Sequence, residues 1–293
     1  MSQEPREYLE HEPHVGRRTV RSVGLVADLW RFPVKSMGGE RLDEALITPQ
    51  GVLGDRALAL LDVETNSVVS ASNKHFPGLL DWRATYLEPP RLNVAVPAVR
   101  IAQPSGTART TDDPAIDAWL SGHFRRDVTL VRERPAAYAT RQAAFFASVG
   151  LEDIAPTMTL VDFCPVSVIT SATLVELGRA RPQGRFDARR FRMNIMLAST
   201  GSGFEENDWV GSRLSIGTHV GLRVALPDPR CSITTLAQDG LEKDPGILRT
   251  IAEANSLPFG SGRPLPCAGV YATVAELGEI RKGDAARLAV GAW

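Results

Sequence analysis

Along residues 22–33, SVGLVADLWRFP, apolar positions recur at about every second place, the period of a strand with one buried face. GVLGDRALALLD (51–62) opens on a glycine-bearing turn and leads into a second apolar stretch, expected as a second strand. VVSAS and WRATYLEP continue the β pattern, separated by Gly and Pro. The period then changes. In DDPAIDAWLSGHF (112–124), Ile116, Trp119, Leu120 and Phe124 share one helical face, Asp113 suits the N-cap and Pro114 the first turn. AYATRQAAFF follows as a helical or irregular stretch.

From about residue 150 the β pattern returns. SVIT is expected as a strand and SATLVELGRA as a helix capped by Ser171. RFRMNIMLA reads as a strand entered through basic residues, and RLSIGTHVGLRVALP as two strands around a glycine turn. DPGILRTIAEAN is expected as a helix, with Asp244 as cap, Pro245 at its first position and Ile247, Leu248 and Ile251 facing inward. GVYATVAELGEIRKGDAARLAV gives two or three short strands. Many short strands with occasional helices indicate an α+β, β-barrel-rich architecture, and without strict βαβ alternation a Rossmann sheet is not expected. The polar first residues, 1–21, read as a flexible leader. The rest divides into a smaller mixed α/β region at 22–145 and a larger β-rich region at 146–293.

Composition narrows the function classes. In 293 residues, 33 Lys and Arg stand against 34 Asp and Glu, so a broad nucleic-acid footprint is not expected, although local basic clusters remain available for a small anion. No apolar run reaches the length of a membrane span, and no signal-type segment opens the chain, so a cytoplasmic protein is expected. Three cysteines, Cys164, Cys231 and Cys267, form no Cys-x-x-Cys pair, and the five histidines are scattered. Disulfide frameworks, zinc sites and iron–sulfur clusters are therefore not expected.

Three places invite chemistry. Lys35 and Ser36 lie in FPVKSMGG. RFDARRFRMN carries Arg185, Arg189, Arg190, Arg192 and Asn194. On a strand, Arg190, Arg192 and Asn194 would share a face and suit a phosphate, or else form a solvated edge that resists aggregation. Cys231 follows PDPR and precedes SITT, a polar setting unlike that of a packed cysteine, and Arg230 beside it favours thiolate. Cys164 and Cys267 have ordinary packing as their simpler reading.

Taken in order, LWRFPVKSMGGERLDEALITPQGVLGDRALALLD, PVSVITSATL, RRFRMNIML, FEENDWVGSRLSIG, PRCSITT and GVYATV with GEIRKGD resemble the MOSC family, named for the C-terminal domain of molybdenum-cofactor sulfurases. The first fragment resembles the N-terminal β-barrel domain that partners it. The amidoxime-reducing components and their bacterial counterparts are the functional relatives this resemblance suggests. It implies that Cys231 is the molybdenum ligand and catalytic residue. It also implies that Lys35, Ser36, Arg56, Phe163, Cys164, Arg190, Arg192, Asn194, Arg230 and Tyr271 hold the molybdopterin. Where relatives carry Val-Asp-Pro-Asp after the Thr-Thr pair, this chain has Leu-Ala-Gln-Asp, so substrate identity does not transfer. The implied activity is reduction of N-hydroxylated or N-oxygenated small molecules. Without a flavin, haem or cluster motif, electrons would come from a separate ferredoxin- or cytochrome b5-like donor and its reductase. No nucleic-acid or membrane partner is expected. A sulfur or cofactor carrier acting through Cys231, or a small-anion binder without redox function, are the alternatives.

Overall fold

A computed structural model describes residues 19–133, 135–148, 160–259 and 263–290. The alternation at the start becomes a 13-residue strand, Thr19–Arg31. Thr19, Val20 and Arg21 thus belong to a strand and not to the leader, whose other residues lie outside the described ones. Thr19–Arg31 pairs antiparallel with Ile195–Ala198 on one edge and with Ala285–Val290 on the other. From Ala285–Val290 the sheet continues through Arg213–Ile216, Val220–Pro229 and Leu265–Glu276 to Val166–Thr170, which closes in parallel on Ile195–Ala198. Seven strands thus form a closed barrel, with no free edge in the ring.

Its interior is packed with branched aliphatics, among them Val26, Leu29, Val168, Ile195, Leu214, Leu222 and Leu288. Gly24 has φ 138°, and a Cβ there would lie 2.3 Å from the Ala198 carbonyl oxygen, so the tight crossing of two strands needs glycine at this point. Among the described residues no helix is long and apolar enough to cross a membrane.

A second core lies beside the barrel. Val34, Met37, Leu58, Leu60, Phe76, Trp82, Ile101, Leu120 and Phe124 gather under two small sheets, Ala59–Asp62 with Val128–Val131 and Arg83–Tyr86 with Val99–Ala102. The Ile116–Phe124 helix covers them with the face its spacing indicated. In space the two cores do not follow the division at residue 145. Ala45, Ile47 and Val52 join the barrel core, and the strand Glu44–Thr48 pairs antiparallel with Gly278–Arg281 from the far end of the chain.

Several local expectations change for physical reasons. The 51–62 stretch is two strands, Gly51–Val52 and Ala59–Asp62, because Gly54 and Arg56 both take positive φ and turn the chain between them. VVSAS contributes only Val68, in the two-residue strand Ser67–Val68. The Ser171–Ala180 helix is capped by Thr170, whose Oγ1 accepts from the Thr173 amide at 3.2 Å. Ser171 instead ties the helix to Ser199, donating to its carbonyl and accepting from its amide. Asp113 and Asp244 accept from the Ala115 and Gly246 amides, with the helices starting at Ile116 and Gly246, and Pro245 stands at the cap. AYATRQAAFF lies within the helix Ala136–Ser148.

Candidate active site

The segment after the first strand is held by main-chain bonds to residues 55–58. Lys35 donates to the Leu58 carbonyl, and Arg56 and Leu58 donate to Phe32 and Pro33. Asp55 accepts from the Phe32 amide at 2.8 Å and pairs with the Arg56 guanidinium. From the barrel side, Arg192 stacks on the same phenyl ring that Arg56 covers, at 4.2 and 4.5 Å from the Phe32 centroid. Arg56 donates to the Arg192 carbonyl and Arg192 to the Met37 carbonyl. Ser36, Arg56 and Arg192 all have positive φ, so three non-glycine residues in a costly conformation meet at one place, as strained backbone at functional sites tends to do.

These groups border a cleft of about 420 Å³ between the barrel and the smaller unit. Lys35, Ser36, Arg56, Phe163, Cys164, Arg192, Asn194, Arg230, Cys231 and Tyr271 all line it. Ten of the eleven site residues expected from the sequence therefore come together. Asn194 is fixed by Ser167, whose amide and hydroxyl both donate to its side-chain oxygen.

Arg190 is the exception. Residues Ala188–Phe191 form a 3-10 turn and Arg192 is left-handed, so the alternation of a strand does not apply and Arg190 turns away from Arg192. It is 2% exposed, and its guanidinium donates to the carbonyls of Arg185, Thr234, Leu236 and Glu242. It braces the loop that follows Cys231 and does not line the cleft.

Cys231 is exposed and caps the short turn Ser232–Thr235, with its carbonyl held by Thr234. Cys164 and Cys267 are buried, and burial, with the Asp228 charge nearby, pushes both thiols up to about 12. Burial lowers Lys35, against the pull of Asp162 at 2.6 Å, and the charges of Arg56 and Arg192 add to the lowering. Burial, then Arg56, brings Arg192 down to about 9. Like charges crowded under low exposure favour an anion in the cleft.

Asp228 is a site residue the sequence reading missed. It is 1% exposed, pairs with Arg230, and burial raises it to about 6. Its signal was the alternation of Val220–Pro229, in which Val224, Leu226 and Asp228 all point inward. Arg230 also donates to the Phe191 carbonyl at 2.6 Å. Among the described residues no three His, Cys, Asp or Glu side chains converge as a metal cluster.

Two family descriptions match in succession: the MOSC N-terminal beta barrel domain over residues 23–127 and the MOSC domain over 155–287. The chain belongs to the MOSC family. Among curated proteins, this MOSC chain is 26% identical to mitochondrial amidoxime reducing component 2 of Bos taurus, over 92% of this chain and 84% of that protein. It is 28% identical to the Macaca fascicularis protein of the same name, with the same coverage. Among solved structures, the YUAD protein from Bacillus subtilis aligns over 94% of this chain and 99% of its own, at 10% identity and a TM-score of 0.43.

Proposed function

We propose that this MOSC protein is a molybdenum-cofactor oxidoreductase that reduces N-hydroxylated or N-oxygenated compounds with electrons from a separate donor protein. The observation that carries this reading is one exposed cysteine, Cys231, at a cleft where Lys35, Arg56 and Arg192 converge. The relatives named for amidoxime reduction support it.

The residues fit such a cofactor. A thiolate suits a soft metal already held by dithiolene sulfurs, and three cations suit its phosphate. Buried polar atoms of Asp228 and Arg230 in the cleft wall lack partners within the described chain. The bound cofactor supplies the two-electron oxygen-transfer chemistry. For a hydroxylamine the balance is R–NH–OH plus two electrons and two protons giving R–NH2 and water. Cys231 holds the metal, Lys35, Arg56 and Arg192 bind the anionic end, and Phe163 and Tyr271, with rings 5.6 Å apart, form an apolar wall.

The test is metal, pterin and sulfane-sulfur analysis of protein made in a cofactor-competent host, with reductase assays on a hydroxylamine and an artificial donor. About one molybdenum per chain with turnover that Cys231→Ser abolishes is the expected result. Sulfane sulfur without molybdenum would instead make Cys231 a sulfur carrier.

A further inference from the structure

The loop that begins at Cys231 is held at two places. Arg190 holds it from the barrel side, through the Thr234 and Leu236 carbonyls. Its tip is a two-residue turn. Gln238 and Leu241 exchange main-chain hydrogen bonds of 3.0 and 2.8 Å, and Asp239 and Gly240 between them both have positive φ, 44° and 75°. Asp239 makes the contacts of this tip. Its carboxylate accepts from Arg83 and from Arg189, each at 3.0 Å. Its carbonyl accepts from Arg189 at 2.8 Å, and its amide donates to the Asp81 carboxylate at 2.9 Å.

Those partners belong to two different elements. Asp81 and Arg83 flank Trp82 of the smaller core. Arg83 also donates to the Gly39 carbonyl, and the Gly38 main chain is bonded to Trp82 and Ala84, in the same segment that carries Lys35 and Ser36. Arg189 lies in the turn Ala188–Phe191 that leads into Arg192. One carboxylate thus ties the Cys231 loop to both segments that present cations to the cleft. Asp239 itself does not line the cleft, so it acts through the loop and not by contact with a ligand.

We propose that Asp239 is a positioning residue, a clasp that holds the Cys231 loop across the joint between the two units. It fixes where the Cys231 sulfur stands relative to Lys35, Arg56 and Arg192. The clasp needs no ligand, and its effect on a metal rests on the molybdenum reading above.

The test begins with amide hydrogen exchange on the full-length chain made without cofactor. Asp239→Asn removes the charge and keeps a residue that accepts the left-handed turn. It should speed exchange across residues 232–241 about fivefold, the effect of losing partly exposed ion pairs, and leave the barrel strands unchanged. Arg83→Met, made in the other unit, should speed the same amides about threefold. The double variant should exchange no faster than Asp239→Asn alone, because both changes act through one carboxylate. In protein loaded in a cofactor-competent host, Asp239→Asn should keep its pterin and shift the Mo(V) electron paramagnetic resonance signal. That signal reports how the thiolate is oriented at the metal, which general stability does not alter. Unchanged loop exchange in either single variant, or multiplied effects in the double one, would overturn the proposal. So would an Asp239→Asn protein that shows the wild-type signal or has lost its pterin. A wild type with neither pterin nor molybdenum removes the cofactor reading alone, and the exchange comparison then decides the clasp.

Discussion

Arg190 shows how a residue can matter to a site without facing it. Its guanidinium satisfies four carbonyls around the Cys231 loop, and among the described residues no carboxylate shares that work within hydrogen-bond reach. Arg190→Met should destabilise the fold by at least about 2 kcal/mol, measured by denaturant unfolding, because those carbonyls lose buried partners. Asp228 gives a second expectation. Its folded value is raised from 3.8 to about 6, so the proton it binds stabilises the folded chain below about pH 4, and that contribution is lost as pH rises through about 6. Arg230, Tyr271, Asp162 and Arg56 are the charged or titratable groups acting on it. The cofactor-free wild type should therefore lose Tm relative to Asp228→Asn between those pH values, and parallel curves would contradict the assignment.

At the scale of elements, the turn at Gly51 packs directly on Pro165, where the chain enters the barrel strand Val166–Thr170. Gly51 has φ 99°, and a Cβ would stand 2.0 Å from the Pro165 carbonyl oxygen, next to the cleft residue Cys164. Gly51→Ala should cost at least about 2 kcal/mol in unfolding free energy, from backbone strain and this clash. The strands and helices are largely legible in the sequence because their apolar periods are regular, as in Thr19–Arg31 and Ile116–Phe124. Irregular backbone is what escapes. The positive φ of Arg56 and Arg192 breaks the alternation on which a face assignment depends, so sequence spacing puts Arg190 with Arg192 while the folded chain separates them. Asp228 escapes for another reason: a lone carboxylate carries no motif, and its one mark in the sequence is the strand alternation that turns it inward with Val224 and Leu226.

For the whole molecule, the cleft is a joint between two cores, bridged by Arg56 to Arg192 and by Arg192 to Met37. An anion bound there should stabilise the joined state. At about a hundred times its Kd, inorganic phosphate should add about 2.7 kcal/mol, a Tm rise of several degrees, and Lys35→Ala should reduce it. The barrel itself has a consequence in time. Thr19–Arg31 lies between Ile195–Ala198 and Ala285–Val290, so apart from Leu29–Arg31, which pair with the nearby Glu40–Leu42, its edges find their partners only after much later sequence has left the ribosome. Such distant pairing is slow to form. Because Asn194, Cys231 and Tyr271 are carried on or beside Ile195–Ala198, Val220–Pro229 and Leu265–Glu276, their cleft is complete only after synthesis has passed Glu276, and whatever fills it must arrive after translation of that strand.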